Sequence, residues 1–417
     1  MTAQTKKQIA GATLALVLLT ALNFVNFIDR YILPGVQPLV QKDFGINDQQ
    51  AGALTFWFFL TYMFAAPLTG WLGDHFPRKP LIVAGAILWS ACNLFTATVH
   101  SYFSLNLRHA ALGIGEASFS IYAPAMLSDY FPEEQRNRVL TIFYIAIPVG
   151  AAMGYVLGGV LGSAYGWRFP FYVSAAPGIV IALLIAFFMR EPKRGESERL
   201  KATASRSTVA GMFKNPEYRF ATIGMAMVVF SLGGISAWLP TFLSRIGGYS
   251  LSDAGKLTGL VTLIGGLAGT AVGGWLAQLW MRTNYRALYL VSAWSALLAV
   301  PPALLAFFGP RPFMIPAIGL AVFCIFLGNG PLNAAIVNSV SATVRSTAIA
   351  VELFLIHALG DAPSPRVIGA VSDASNLRMG LAVTLLTMLI AAGILFYGAR
   401  YATPLDAEEP AVPAVAV

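Results

Sequence analysis

Residues 51–79 read AGALTFWFFLTYMFAAPLTGWLGDHFPRK, and residues 254–278 read AGKLTGLVTLIGGLAGTAVGGWLAQ. Each begins with Ala-Gly-x-Leu-Thr, continues through an apolar run long enough to cross about 30 Å of hydrocarbon, and reaches Gly-Trp-Leu at nearly the same spacing. A second pair, LGIGE at 112–116 and LGNGP at 327–331, keeps the same order and register. Two words repeated in one order across two halves of a chain predict a duplicated bundle of membrane helices.

Working outward, apolar runs bounded by charges or turn residues fall near 9–40, 50–73, 80–99, 102–128, 137–163 and 168–189, then near 216–243, 253–280, 285–308, 312–340, 345–371 and 377–400. The matched words then lie six runs apart, as two parallel six-helix repeats require. The chain of 417 residues is 57% hydrophobic and only 11% charged, with a mean hydropathy of +0.68. A soluble domain carries about 25% charge, so this chain lacks the polar cover an aqueous surface needs. The 39 glycines and 24 prolines are scattered within the apolar runs, which membrane helices tolerate.

Charge placement tests the partition. Of the 27 Lys and Arg, 18 fall on one side if both termini share it, seven fall on the other, and only Arg30 and Arg108 lie within runs. By the positive-inside rule the basic side is cytoplasmic, with both termini there. The predicted fold is therefore an all-α membrane protein of twelve transmembrane helices in two pseudo-symmetric six-helix bundles. The first bundle spans 1–189 and the second 216–400; 190–215 forms a mixed-charge cytoplasmic linker that could carry a short amphipathic helix, and 401–417 a disordered tail. Lys6 and Lys7 ahead of an apolar run resemble a signal peptide, but Asn23, Asn26, Asp29 and Arg30 interrupt that run and no small-residue cleavage site is clear, so it reads as a retained first span.

The net charge of +8 follows this topology and not nucleic-acid binding, because no basic patch is interleaved with aromatics. Cys92 and Cys324 lie in apolar runs, as small buried hydrophobes and not a disulfide. His75, His100, His109 and His357 lack metal-site spacing, and no zinc-protease, nucleophile-elbow or phosphate-loop motif is present. The expectation is no enzyme, no metal and no cofactor, with energy drawn from gradients.

Four groups of residues carry candidate chemistry. Gly70, Asp74, Arg78 and Lys79 follow the second run: Gly70 permits a close helix crossing, Asp74 can pair with a base or cap a helix, and Arg78 and Lys79 can bridge to the opposite bundle as a cytoplasmic gate. Gln278 stands at the Asp74 position of the repeat, so this gate is expected to be asymmetric. Arg108 and Glu116 are eight residues apart, about 12 Å along a helix and about 80° around it, and neither belongs in lipid. Glu116 is a candidate proton carrier, and Arg108 could instead hold an anionic substrate group. In the first run, Asn23, Asn26 and Asp29 share a polar face that can line a cavity; the adjacent Asp29 and Arg30 point apart and can each find a partner on another helix, although Arg30 could also snorkel. In the eleventh run, Glu352, His357 and Asp361 precede Pro363 and Pro365, which predict a broken or kinked outer end; Glu352 and His357 are candidate cavity residues. Gly150, Gly154, Gly158 and Gly159 invite close helix packing.

These residues resemble the major facilitator superfamily and, within it, the Spinster branch. The likeness rests on Asn26 through Tyr31, Gly73 through Lys79, Arg108 through Ser118, and Pro124, Asp129 and Phe131 through Arg136. The resemblance implies a secondary active transporter working by alternating access, with Asp29, Glu116, Arg108 and Arg30 as coupling and cavity residues and a lysophospholipid or sphingolipid-like substrate. Protons, membrane lipids and an amphiphilic or anionic substrate are the partners expected of a monomer in a bacterial inner membrane. Carriers of small organic anions or drugs, and a gradient-independent scramblase or channel, are the alternatives.

Overall fold

The computed structural model describes residues 9–193, 209–340 and 345–403. Most of the 190–215 linker and of the 401–417 tail, and Lys6 and Lys7, lie outside the described residues. The first bundle comprises α1 (Ala12–Phe44), α2 (Asp48–His75), α3 (Arg78–Phe95), α4 (Tyr102–Tyr130), α5 (Glu133–Tyr165) and α6 (Phe169–Phe188). After a short α7 (Val209–Lys214), the second bundle comprises α8 (Pro216–Arg245), α9 (Leu251–Met281), α10 (Ala287–Phe308), α11 (Met314–Asn338), α12 (Arg345–Ile356), α13 (Pro363–Ala374) and α14 (Leu377–Gly398). A π turn at His357–Asp361 joins α12 to α13, so together they form the eleventh crossing, broken just ahead of Pro363 as the two prolines predict.

The helices start where side chains can satisfy their free N–H groups. Asn47 caps α2 in a reciprocal box with Gln50, Ser101 caps α4 with Ser104, and Asn215, Ser250 and Asn376 cap α8, α9 and α14. Gly45 ends α1 in the left-handed conformation, φ 61°, and lets the chain turn directly into α2.

Packing follows the repeat. In the first bundle α1 packs on α6, α2 on α4, and α3 on both α4 and α6; in the second α8 packs on α14, α9 on α11, and α10 on both α11 and α14. The bundles meet along two equivalent seams, α5 with α9 and α2 with α13. Gly159 and Gly255 allow the first seam: a Cβ on either would sit 3.0 Å from the other glycine's Cα. The expected small-residue packing is also realised within the first bundle, where Gly150, Gly154 and Gly158 bring α5 onto α1.

Nine helices of the described residues are long and apolar enough to cross a membrane on composition alone. The crossings outside that set are α3, α4 and the α12–α13 pair. Two have visible reasons: α4 carries Arg108, His109 and Glu116 in its middle, and the eleventh crossing is broken into two short helices. The helices that composition understates are thus among those carrying polar groups into the interior.

Both ends of the described chain lie on one face, with Arg78, Lys79, Arg282 and Arg286, here called the basic face. The far face is where the bundles close. There Asp48 of α2 accepts Arg245 Nη1 of α8 on both carboxylate oxygens, at 2.9 and 2.8 Å, and also takes hydrogen bonds from Gln41 at 2.7 Å and Ser372 at 2.5 Å, while Arg245 Nη2 donates to Gln41 at 2.9 Å. Asp373 of α13 accepts the backbone N–H groups of Asp48 and Gln49 at 2.9 and 2.8 Å, so one bundle caps a helix of the other. These contacts tie the two bundles together at the far face.

Candidate functional site

The site forms where α1, α2 and α4 meet near mid-membrane. Arg30 leaves α1 toward α4 and donates to Glu116 Oε2 through Nη2 at 2.6 Å and Nε at 3.1 Å. Aromatic rings surround its guanidinium: Phe27 at 4.9 Å, Phe58 at 5.0 Å, Tyr62 at 5.6 Å and Phe59 at 5.9 Å. An ion pair out of water is stabilised only if both charges are well held, and ring faces add attraction for a planar cation. The Glu116 side chain is 0% exposed, while Arg30 is 16% exposed and presents the accessible edge of the pair.

The second bundle reaches this cage through one residue of the broken crossing. His357 stacks on Phe59, with centroids 5.2 Å apart, and meets Tyr62 edge-on at 5.4 Å. Its Nδ1 pairs with Asp361 at 2.9 Å across the π turn, the one-turn contact their spacing predicts. The cation, the carboxylate and the histidine therefore share one aromatic wall.

The other expected residues are placed differently. Arg108 is buried: its Nε donates to the Cys92 carbonyl at 3.0 Å, Nη2 to Asn93, and its guanidinium lies 4.6 Å from the Phe171 ring. It is turned into the bundle between α3 and α6, away from Glu116's partner, because eight helical residues separate their directions enough for different neighbours. Asp29 is buried beside Asn93, Ser174 and Arg108, not paired across to another bundle. Asn23 is an interhelical tie, donating to the Phe143 carbonyl of α5 at 2.9 Å. Asn26 is buried beside Glu116. Glu352 is buried against α8 near Tyr218, whose hydroxyl bonds the Ala348 carbonyl.

The expected gate residues bond as follows in this structure. Arg78 pairs with Asp129 of α4, and Lys79 Nζ donates to the Ala186 and Met189 carbonyls at the end of α6, both at 3.0 Å. Glu191 accepts the backbone N–H groups of Arg78 and Lys79 at 2.9 and 2.7 Å. Both bases are thus bound within their own bundle, where helix ends offer free carbonyls. Gly70 has open space where a Cβ would be and lines a cavity of about 180 Å³ with Asp74, Arg78, Tyr122 and Asp129; the close crossing belongs to Gly73, whose Cβ would collide with the Tyr122 ring.

Three features escaped sequence reading. The aromatic cage was hidden because Phe58, Phe59 and Tyr62 look like lipid-facing residues. The Asp48–Arg245–Asp373 cluster joins residues 128 or more positions apart, from helix ends of both bundles, which no local pattern relates. Tyr155 Oη donates to the Ser236 carbonyl of the other bundle at 2.7 Å. That contact had a signal: Pro240 lacks the N–H that a helix would offer to Ser236.

The fold and this interior ion pair define a membrane transporter. The family model of the Major Facilitator Superfamily matches residues 19–365. Protein spinster homolog 1 of Xenopus laevis is 34% identical over 388 residues, covering 87% of this chain and 73% of that protein. The sphingosine-1-phosphate transporter SPNS2 of Danio rerio is 33% identical, covering 94% and 84%. A crystal structure of a bacterial homologue of the human lysosomal transporter Spinster, inward-facing and occupied, superposes with a TM-score of 0.84 at 22% identity, over 95% of this chain and 98% of that one. The chain belongs to the major facilitator superfamily, in its Spinster branch. It is a multi-pass membrane transporter and not an enzyme.

Proposed function

We propose that this protein is a proton-coupled secondary carrier of a lysophospholipid or sphingolipid-like amphiphile, working by alternating access. The Arg30–Glu116 pair inside its aromatic cage carries the reading. With Glu116 ionised, Arg30 is held by it. A proton on Glu116 removes the attraction and frees Arg30 for an anionic headgroup, while the surrounding rings accept apolar chain. Headgroup and proton then alternate as partners of one guanidinium, which links their movements. The relative named as a sphingosine-1-phosphate transporter supports an amphiphile of this kind.

In this proposal Asp29 and Arg108 support the pair from within the bundle, and His357 reports its state to the second bundle. Asn26 flanks Glu116, while Asn23 and Glu352 hold neighbouring helices. Gly70, Asp74, Arg78 and Lys79 form the cytoplasmic gate at the basic face. The rigid bodies are 1–189 and 216–400, linked by 190–215, with a tail at 401–417. The basic face is cytoplasmic, in a bacterial inner membrane, and the monomer is the working unit.

Uptake of labelled lysolipids into proteoliposomes, with and without an imposed pH gradient, tests this. Saturable accumulation that follows the gradient is the expected result. Equal lipid mixing without a gradient would replace the carrier by a scramblase, and accumulation of small organic anions in place of lysolipids would replace the substrate class. Glu116→Gln is expected to lose gradient-driven accumulation by about the 10²-fold scale of a lost proton-transfer group, with monodisperse protein retained. Unchanged accumulation removes Glu116 from coupling.

A further inference from the structure

On the outer surface of the second bundle, the last helix carries an apolar stripe that ends in charge. Leu386, Ile390, Gly393 and Tyr397 of α14 follow one another at helical spacing on one face, and all four are exposed. Gly393 has open space where a Cβ would stand, which leaves a notch in the stripe. The stripe runs to the basic face, where the Tyr397 and Tyr401 hydroxyls bond each other at 3.1 Å.

Two guanidiniums meet at this end. Arg219 of α8 lies over the Phe220 ring at 5.1 Å, and Arg400 over the Tyr397 ring at 5.2 Å. Phe220 joins the two groups: Tyr401 stacks on it at 5.5 Å, and Tyr397 meets it edge-on at 5.2 Å. Gly398 permits this close crossing of α8 and α14, since a Cβ there would sit 2.7 Å from the Phe220 side chain. Both arginine charges act on the Tyr401 hydroxyl. Ring faces attract the two cations, and neither guanidinium has an ion pair among the described residues. Glu217, the carboxylate nearest to Arg219 along α8, sits beside Thr403 instead.

Donors dominate this end of the stripe. A guanidinium has no acceptor, and two phenols that share one hydrogen bond keep one O–H free. Such a set selects a negatively charged acceptor, and guanidiniums match phosphate oxygens with paired N–H groups. From that point the stripe leads back along α14 into the hydrocarbon of the membrane. An amphiphile with an anionic phosphate at the basic face and acyl chains along α14 meets both parts.

We propose that α8 and α14 form a binding site for one anionic phospholipid of the surrounding bilayer. Arg219, Arg400 and Tyr401 hold its phosphate, and Leu386, Ile390 and Gly393 receive its chains. The site stands apart from the Arg30–Glu116 pair and does not depend on the transport reading.

Native mass spectrometry of the intact, delipidated protein with added dioleoylphosphatidylglycerol tests it. Arg219→Ala/Arg400→Ala is expected to weaken binding of the first lipid about tenfold, the scale of two lost interfacial charges. Arg138→Ala/Arg282→Ala removes equal charge from exposed positions on the same face, and is expected to leave that binding unchanged. Equal weakening in both double variants, or none in either, overturns the site. Glycerophosphoglycerol, the headgroup without its chains, is expected not to compete; full competition overturns a lipid in favour of a free anion. Asp406→Asn/Glu408→Gln/Glu409→Gln is expected to bind as the parent chain does. Tighter binding in that variant overturns lipid as the resident partner in favour of the chain's own acidic end.

Discussion

At the scale of single residues, charge inside the first bundle is divided between two arginines with different tasks. Arg30 is partly accessible and holds one movable partner, Glu116. Arg108 is buried and tied to backbone and amide groups of α3. Replacing Asn93 with alanine takes an acceptor from a buried guanidinium, and should cost about 1–3 kcal/mol. A lowered unfolding temperature, with the residual transport still following the pH gradient, is the expected result. Loss of gradient dependence at unchanged stability would assign Arg108 to coupling instead. The sequence exposed both arginines as ions out of place in lipid. It could not say which faced the cavity, because eight residues on a helix leave that to the neighbours.

At the scale of elements, prolines decide where helices of opposite bundles bond. Pro240 leaves the Ser236 carbonyl of α8 without its helical donor, and Tyr155 of α5 supplies one at 2.7 Å. Tyr31 packs edge-on against Tyr155, with centroids 5.1 Å apart, and completes the closure. Tyr155→Phe keeps the ring but leaves that carbonyl unmet, so the closed far face should loosen. Pro240→Ala restores the helical N–H and makes the tyrosine hydroxyl dispensable. The double variant is therefore expected to show a smaller loss than the two single effects summed, read as far-face thiol accessibility. Strict additivity would mean that the two positions act separately. Pro363 and Pro365 were legible as a break in the eleventh crossing, but the π turn that presents His357 to Phe59 and Tyr62 was not, since it depends on those rings.

At the scale of the whole molecule, two bundles with equivalent packing meet along two equivalent seams, and a polar cluster ties them together at the far face. Asp48, Arg245, Gln41, Ser372 and Asp373 form that closure, and Asp373 caps α2 from the opposite bundle. Closing the basic face requires this cluster to open if the bundles rock as rigid bodies. Arg245→Ala and Asp373→Asn are each expected to shift the distribution of spin-label distances between the ends of α1 and α13 toward longer values. Distances unchanged in both variants would place the seal in the apolar seams instead.

Fold class, crossing number and the duplication were settled by the sequence alone. Helix length against hydrocarbon thickness, charge asymmetry between two faces, and repeated words in register are all local or additive properties of a chain. The sequence also singled out Arg30 and Glu116, because ions are costly in lipid wherever the chain takes them. Their pairing, the cage of rings, the inward turn of Arg108, and the containment of Arg78 and Lys79 within one bundle were decided only by tertiary structure. Each depends on which helix stands opposite, and residues 86 or more positions apart, such as Arg30 and Glu116, meet only when the bundle has closed. The far-face seal belongs to the same class: Asp48 and Asp373 lie 325 residues apart, and only packing makes one the cap of the other's helix.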